Sequence, residues 1–370
     1  MFKFAGILFC GGLMLLAGCR TLPIDNAETL PGEWSATNVV PSAGVPQTSQ
    51  PVKPPVKIVP LPPIQTNVPP AKVSRPTPIL AWTSLNRWAA ENKLPAPRKI
   101  SSSPVASYAI TSPKGTMVLI IGSREATWRG LGMHLGFAPE IIDDQVFIYG
   151  LDLQKNLEPL LLGETLAFTP NRVIVIDPGH GGVNVGTHSL VDGRFEKEFT
   201  LDWARRIRPL LATNGWTVFL TRTNDSDVSL SNRVAFAEAH HADLFISLHF
   251  NSAAPDKKQN GVETYCLTPA GMPSTLTRGF NDSWTNRFPN NAFDAENLQL
   301  AVRLHGALLR GSGEEDRGIR RARFMGVLLG QKRPAVLVEG GYLSNTREAE
   351  KIATPAFRQK LAEAVVAALK

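Results

Sequence analysis

The chain has 370 residues, of which 43% are hydrophobic and 19% are charged, so it can bury a sizeable core, and wholesale disorder and a collagen-like fibre are excluded. At roughly 100–200 residues per domain, the length allows two or three domains. The net charge of +7 arises mainly between Trp34 and Ala90, where five basic residues stand without an acidic one. This diffuse excess suits weak attraction to an anionic polymer or surface, and it is not the dense basic patch of a nucleic-acid-binding protein.

The N-terminus has the features of a processing signal. Lys3 precedes an apolar stretch from Phe4 to Ala17, which is too short to be a comfortable membrane span. Cys19 directly follows Leu-Ala-Gly, and this arrangement resembles the lipobox of bacterial lipoproteins. The resemblance implies that residues 1–18 are a signal peptide and that Cys19 is lipidated; an ordinary signal peptide with an incidental cysteine is the alternative.

A lipidated Cys19 would hold the protein at a membrane, because each buried CH₂ contributes about 0.8 kcal/mol. Arg20 follows the cysteine, and in Gram-negative lipoprotein sorting the lack of aspartate there favours the outer membrane. We therefore expect a location in the cell envelope, on the periplasmic face of the outer membrane. Cys266 would then be the remaining thiol, and we expect it to be an inert core residue.

Residues 19–80 are predicted to be a linker that carries the lipidated cysteine at its start. The segment from Pro23 to Leu80 contains 14 prolines and no periodic apolar stripe. It therefore cannot bury a core of its own. Such a tether would let a domain work away from its anchor.

Residues 81–165 have the sequence pattern of a folded, globular segment. They are predicted to be a small α+β accessory module of unknown role. The stretches at 115–121 and 145–149 are typical of buried strands. The segment from Ser123 to Leu135 is predicted to be a helix, because Ser123 can cap its start and Gly136 can end it. His134 is interpreted as a packing residue on this helix.

From Arg172 onward, the pattern predicts strands alternating with helices. The fold class is therefore α/β, with a mixed, mostly parallel twisted sheet and helices on both faces. The predicted strands are 172–176, 216–220, 244–248, 262–267 and 335–338, and the predicted helices are 196–214, 231–241, 295–309 and 355–369.

Four residues that can bind metal or move protons follow the predicted strands or begin a helix, where open α/β sheets build their sites. They are His180, Glu196, His249 and Glu339. Two histidines and one glutamate are a common catalytic zinc set, and a further carboxylate outside the metal shell can act as general base. Taken singly, Glu196 could instead complement a helix dipole, and Glu339 could belong to a buried ion pair.

Together, the motifs resemble the zinc-dependent N-acetylmuramoyl-L-alanine amidases (amidase type 3) of cell-division and sporulation hydrolases. The similarity covers roughly residues 170–370, the predicted catalytic domain, with its motifs in the family's order. The motifs are Val175–Gly182, Glu196–Leu201, Ser247–Asn251 and Pro334–Glu339, with Thr221-Arg222, Leu230–Val234, Arg317-Gly318, Gly341 and Leu343–Asn345 as further matches.

The resemblance implies that His180, Glu196 and His249 bind one zinc ion per chain and that Glu339 is the catalytic acid/base. Glu198 is the rival of Glu196; the two point to different sides of a helix, and the family's ligand immediately precedes a lysine, which selects Glu196. Asn251 is a candidate for substrate binding. Gly340 departs from the family, which often has a hydroxyl residue there.

The implied function is hydrolysis of the peptidoglycan amide bond between N-acetylmuramic acid and the L-alanine of the stem peptide, by zinc-activated water. The implied partners are peptidoglycan, the membrane through the lipid anchor, and an unidentified protein activator, with no nucleic acid. The alternatives are a catalytically silent amidase-like binding lipoprotein, a zinc carboxypeptidase, whose His-x-x-Glu pair the chain lacks, and a purely structural tether.

The stretch from Thr268 to Asn297 is predicted to be a long connection rich in aromatic residues. Loops of such length usually serve as lids or are disordered. We expect it to pack over the catalytic cleft and grip substrate. A plain surface loop and self-inhibition through Asp294 or Glu296 are the alternatives.

Overall fold

A computed structural model describes residues 81–279 and 281–370. The predicted signal peptide, the lipidation of Cys19 and the linker lie outside these residues. Within the described part of the chain, no helix combines the length and the apolar character needed to cross a membrane.

Strands and helices alternate over most of the described chain. The strands are β1 Trp82–Ser84, β2 Arg98–Ser101, β3 Ser107–Ser112, β4 Gly115–Ile120, β5 Glu125–Trp128, β6 Leu131–His134, β7 Glu140–Ile142, β8 Gln145–Tyr149, β9 Val173–Pro178, β10 Thr217–Leu220, β11 Leu244–Asn251, β12 Val262–Leu267, β13 Asp316–Ala322 and β14 Ala335–Tyr342. The helices are α1 Leu85–Glu91, α2 Gly150–Asp152, α3 Glu158–Leu161, α4 Glu196–Ala212, α5 Leu230–Ala239, α6 Asp294–Ser312, α7 Gly326–Leu329, α8 Thr346–Ala353 and α9 Pro355–Ala368. A π-helical stretch, Leu153–Leu157, joins α2 to α3, and a 3₁₀ turn, Pro289–Phe293, precedes α6.

One large sheet runs through the described residues, in the order β10-β9-β11-β14-β12-β13-β6-β5-β4-β3-β2. The strands β10, β9, β11 and β14 are parallel, whereas β12 runs antiparallel to β14. Beyond them, β13 and β6 continue in parallel with β12, and β5 to β2 form an antiparallel meander. The predicted mixed α/β sheet is therefore confirmed.

Helices cover both faces of the sheet, as predicted. The parallel strands are buried on both sides, so they are almost wholly apolar. Alternate residues of β14 show this: Val338 belongs to the larger core with α4, α6 and α9, while Leu337 belongs to the smaller core with α5 and α7. Because β9, β11 and β14 are parallel neighbours, their carboxyl ends lie at the same edge of the sheet.

Five strands of residues 81–165, β2 to β6, extend the large sheet. β6 pairs with β13 through Met133 and Ile319, and Leu85 and Trp88 of α1 lie in the same hydrophobic core as α6 and α9. A separate three-stranded sheet, β1-β8-β7, completes this part. The predicted domain boundary between residues 165 and 170 remains a prediction.

The helix predicted from Ser123 to Leu135 is wrong, because this segment forms the hairpin β5–β6. Arg129 and Gly130 have φ of +52° and +84°, and positive φ at both central residues is the pattern of a type I′ turn. His134 is therefore on a strand. Within residues 170–370, the strand β13 and the helices α7 and α8 were not predicted; within residues 81–165, neither were β1, β2, β3, β7 and the helices α1 to α3.

Candidate metal centre and catalytic residues

His180 lies in the turn that follows β9. Its φ is +61°, which is uncommon for a non-glycine residue, and Arg233 Nη2 donates a hydrogen bond to its carbonyl at 2.8 Å. At Gly179, a Cβ would come within 2.3 Å of the His249 ring. The glycine beside His180 is thus needed for the two histidines to approach each other.

Glu196 is the first residue of α4, and its side chain is only 5% exposed. Backbone N–H groups hold both of its carboxylate oxygens: Phe250 N donates to Oε1 at 3.0 Å and Thr187 N donates to Oε2 at 3.1 Å. Gly186, with φ of +70°, leaves room for it, because a Cβ there would meet Oε2 at 2.6 Å. The carboxylate is therefore fixed before any ligand binds. Its rival Glu198 instead accepts from the backbone N–H of Phe195 at 3.0 Å.

His249 and Glu339 come together through strand pairing. They are directly opposite each other on the parallel strands β11 and β14. The ladder becomes irregular immediately afterwards, between His249 and Asn251. The predicted positions at the ends of two strands therefore become adjacent side chains at one edge of the sheet.

His180, Glu196 and His249 form a cluster whose ligand atoms all lie within 4.8 Å of one another. His180 Nε2 is 3.0 Å from Glu196 Oε2, and His249 Nδ1 is 2.9 Å from Glu196 Oε1. His180 Nδ1 contacts Asn184 Oδ1 at 2.7 Å, so in the neutral ring Nδ1 carries the proton and the Nε2 lone pair faces a carboxylate. A shared cation removes that repulsion, and the donor set fits zinc.

The ionisation of the cluster follows from these contacts. Burial opposes the charge on Glu196, but hydrogen bonds from the protonated ring of His180 and from His249 outweigh it and lower the pKa of Glu196 to about 2. For His180, burial is opposed by the hydrogen bond and the charge of Glu196, and the net effect raises its pKa. The carboxylate is thus anionic at neutral pH, as a metal ligand must be.

Glu339 has a different environment from Glu196. Its residue is 5% exposed, and within the described residues its Oε2 has no hydrogen-bond partner. Burial is the main reason that its pKa rises to about 8, with attraction by His249 opposing the shift and repulsion by Glu196 adding to it. An unpartnered buried carboxyl oxygen beside a cluster of metal ligands is placed to exchange a proton with a bound molecule.

A second buried carboxylate, which sequence reasoning missed, lies one strand away from Glu339. Glu263 of β12 pairs directly with Glu339 in the antiparallel ladder. Its oxygens accept hydrogen bonds from Asn251 Nδ2 at 2.9 Å, Tyr265 Oη at 2.7 Å and Arg317 Nε at 3.0 Å. Asn251, predicted to bind substrate, is therefore fixed by Glu263. The sequence signal was a lone acid in an apolar strand.

Two buried arginines from the matched motifs hold the backbone around His180. Arg222 donates to the carbonyls of Pro178 and Gly179 at 3.0 and 2.8 Å. Arg233 pairs with Asp177 at 2.6 Å and donates to Pro178 O at 2.9 Å. Their positions indicate that these motif residues support the geometry of the site rather than its chemistry.

Arg278 of the long connection before α6 reaches the site. Arg278 Nη2 donates to Asn251 Oδ1 at 2.9 Å, and its guanidinium lies 5.3 Å from the centre of the Phe324 ring. Asp294, the candidate for self-inhibition, pairs instead with Lys155 at 2.9 Å and is not part of the His–Glu–His cluster. A lid that grips substrate stays a prediction for this loop.

Cys266 is a buried free thiol, as predicted. Gly340, the departure from the family pattern, is packed tightly: a Cβ there would meet Phe250 and Trp203 at 3.0 Å. A larger residue would require both rings to shift.

An α/β sheet whose carboxyl edge carries two histidines and two glutamates in this arrangement defines a candidate metal-dependent hydrolase. The family described as N-acetylmuramoyl-L-alanine amidase matches residues 174–370, more than half of the chain. The chain belongs to this amidase family.

Individual relatives carry the same description. The chain is 33% identical over 211 residues to N-acetylmuramoyl-L-alanine amidase LytC of Bacillus subtilis, covering 57% of this chain and 36% of LytC. It is 31% identical over 243 residues to AmiC of Escherichia coli, covering 59% of this chain and 58% of AmiC. The chain thus spans less than two thirds of the length of these relatives.

Solved structures that match are also described as amidases. The catalytic domain of CwlV from Bacillus (Paenibacillus) polymyxa is 29% identical, with 54% of this chain and 96% of that chain covered and a TM-score of 0.44. AmiC2 of Nostoc punctiforme is 28% identical, with 55% and 97% covered and a TM-score of 0.45.

Proposed function

We propose that the protein is a zinc-dependent peptidoglycan hydrolase that cleaves the amide bond between N-acetylmuramic acid and the L-alanine of the stem peptide. One observation carries this proposal: the described structure brings the four candidate residues of an amidase-family chain to one edge of the sheet. His180, Glu196 and His249 would hold the zinc ion. Glu339, with a free buried oxygen beside them, would move the proton.

When bound, zinc supplies the charge that makes water nucleophilic at neutral pH and polarises the carbonyl under attack. The water oxygen forms a bond to the lactyl carbonyl carbon, and the bond from that carbon to the L-alanine nitrogen breaks. Glu339 takes a proton from the water and returns it to the leaving nitrogen, so the products are a carboxylic acid and a free amine.

Other side chains of the site keep these groups in place. Phe250 N and Thr187 N fix the carboxylate of Glu196, and Asn184 fixes the ring of His180. Asn251 is held between Glu263 and Arg278, and it stays a candidate for substrate binding. This preorganisation is what orients reacting groups without further rearrangement.

The proposal is tested by incubating the purified full chain, loaded with zinc, with isolated peptidoglycan. We expect release of stem peptides with a free N-terminal L-alanine, detected by amine labelling and mass spectrometry, and loss of that release with a metal chelator. Binding of peptidoglycan without release would favour the silent binding lipoprotein. Release that is insensitive to the chelator would contradict the zinc-dependent mechanism.

We further propose that Cys19 anchors the enzyme to the envelope membrane, facing the periplasm, and that residues 19–80 tether the catalytic part to it. Support comes from the lipobox-like sequence and the proline-rich composition. The Cys19→Ser protein is expected in the soluble fraction after cell lysis, whereas the native protein sediments with membranes. A Cys19→Ser protein that still sediments with membranes would show another mode of attachment. A protein activator stays a prediction.

A further inference from the structure

The edge of the sheet that carries the candidate metal site also carries a cleft, several strands away from the site. Moving outward from Glu339, the next strands are β12, β13 and β6. A cleft of about 360 Å³ lies where β13 meets β6 and β5, with Thr127, Gly132, His134, Arg317 and Arg320 among its lining residues. Residues 81–165 therefore supply one wall of it, and the amidase-family region supplies the other.

The cleft and the catalytic residues lie on the same face of the sheet. Glu339 is directly opposite Glu263 on β12, and Tyr265, two residues further, is directly opposite Arg320 on β13. Because residues two apart on a strand share a face, Arg320 points to the side of Glu339. The contact of Arg320 Nε with Glu263 Oε1 at 3.3 Å agrees with this placement.

The floor of the cleft carries two guanidiniums and a single carboxylate between them. Arg320 Nη1 donates to His134 Nε2 at 3.3 Å, which leaves Nδ1 of the histidine as the N–H that faces Ile319 O at 3.4 Å. Arg317 adds a second guanidinium beside that of Arg320. Both arginines share one carboxylate, because Arg320 Nε lies 3.3 Å and Arg317 Nε 3.0 Å from Glu263 Oε1. These groups are suited to a carboxylate.

Within the described residues, the acids that line the cleft form no ion pair with Arg317 or Arg320, whose carboxylate partner is Glu263. The carboxylate of Asp316 already accepts three hydrogen bonds, from Gly132 N and Gly318 N at 2.8 Å and from His305 Nε2 at 2.9 Å. Glu125 and Glu315 are exposed and stand at the rim. A ligand with a carboxylate for the floor and an ammonium for the rim would match both.

The distance between the two sites also selects a ligand. Three steps between neighbouring strands span about 14 Å from β14 to β6. An extended peptide covers about 3.3–3.6 Å per residue, so a peptide of about four residues that starts at the candidate catalytic centre ends in the cleft.

We propose that this cleft is a subsite for the distal, carboxylate-bearing part of the peptidoglycan stem peptide. The inference rests on the proposed amidase function, because the peptide must begin at the amide bond that Glu339 faces. It gives residues 81–165 a role in selecting substrates by the length and charge of their peptide.

Blocking the cleft without touching the metal site tests the proposal. Thr127 lines the cleft and lies outside the catalytic cluster, so Thr127→Trp fills it. The matched control is Thr111→Trp, because Thr111 is an exposed residue of β3, on the same face and away from the cleft. Both variants are first checked for an unchanged unfolding temperature and for bound zinc.

The substrates are N-acetylmuramoyl-L-Ala-D-Glu and N-acetylmuramoyl tetrapeptide with diaminopimelate as its third residue. We expect Thr127→Trp to raise KM for the tetrapeptide substrate by about tenfold, equivalent to about 1.4 kcal/mol, and to leave the short substrate unaffected. Thr111→Trp should change neither. Equal effects on both substrates, or no effect on either, would overturn the subsite.

A binding experiment separates this inference from the proposed activity. The free tetrapeptide, titrated calorimetrically into the zinc-loaded full chain, should bind the native protein and the Thr111→Trp variant and bind Thr127→Trp about tenfold more weakly. If the native protein cleaves neither substrate, the proposed function fails, and this titration still decides about the cleft. Equal affinity of all three proteins would overturn the inference.

Discussion

The inner, parallel strands of the large sheet and the outer, antiparallel strands that extend it differ in what their sequences reveal. β9, β11 and β14 are buried on both faces, and the candidate metal and proton-transfer residues lie in or just after their carboxyl-terminal halves. Apolar runs followed by His or Glu therefore identify these strands. β3 to β6 bury one face only, so their apolar residues alternate with partly exposed ones. Strands that carry the candidate site residues are thus easier to predict from sequence than the outer strands that widen the sheet.

The hairpin β5–β6 shows how the outer strands are misread. Ser123 and Gly136 carry local signals for the two ends of a helix, whereas Ala126, Trp128 and Met133 follow the alternation of strands and are buried. Pairing with β4 and β13 decides the outcome. This pairing is a long-range contact that local patterns do not contain.

The largest expected effect concerns the inner strands. His249→Ala removes one of three candidate ligands. We therefore expect the protein to lose its bound zinc and its kcat to fall by a factor of at least about 10². Glu339→Gln should lower kcat by a similar or larger factor while one zinc per chain remains, because Glu339 stands outside the ligand cluster. Metal content by elemental analysis and rates of peptidoglycan cleavage measure the two effects.

A His249→Ala protein that keeps stoichiometric zinc would contradict the ligand set, and a Glu339→Gln protein without zinc would place Glu339 among the ligands. His240→Ala is the control, because His240 stacks between Phe219 and Phe236 and has no contact with the cluster. It should keep both zinc and activity.

A smaller effect tests whether the inner and outer strands unfold together. Trp128 of β5 is 4% exposed and packs in the core that also contains α4 and α9, so Trp128→Ala should lower the free energy of unfolding by about 3–5 kcal/mol. Because the core is shared, the circular dichroism signal of secondary structure and the enzymatic activity should be lost in a single unfolding transition.

Trp284→Ala is the matched control, since Trp284 is 47% exposed and its loss should change the free energy of unfolding by no more than about 0.5 kcal/mol. Two separate transitions in the Trp128→Ala protein, with activity surviving the first, would show that the outer strands form an independent domain.

The smallest effect compares buried carboxylates in the two regions. At the start of α4, beside the inner strands, the pKa of Glu196 is lowered. In residues 81–165, burial raises the pKa of Asp152 to about 6, against hydrogen bonds from Gly136, Phe137 and Asn156. The native state of Asp152 holds its proton at a pH where the unfolded chain, with a pKa near 3.8, has lost it. Its contribution to stability is therefore present at low pH and is lost as pH rises through about 6.

Between pH 5 and 7 this loss amounts to about 1 kcal/mol. We expect urea unfolding to show that the native protein loses this much more stability over the interval than Asp152→Asn does, because asparagine does not titrate. Parallel pH profiles for the two proteins would contradict the raised pKa.

Much of the candidate site could be predicted from sequence, because His180, His249 and Glu339 follow apolar runs and Glu196 begins a helix. Glu263 could not, because its importance comes from pairing with Glu339 across strands that are distant in the chain. Arg278 could not either, because only the folding of the long loop brings it to Asn251. The α/β alternation was predictable from apolar periodicity, whereas the junction of β6 with β13 has no local signal.

That junction has a consequence for anyone who wishes to shorten the protein. If the chain were cut before β9, β13 would become the border of the sheet, with unpaired backbone N–H and C=O groups along it, and such borders recruit strands from other molecules. The same cut would strip α1 from the larger core. It would also remove α3 and β6, which contact α6, and so expose apolar surface on that helix. A fragment comprising only the amidase-family region is therefore expected to aggregate unless β2 to β6 accompany it.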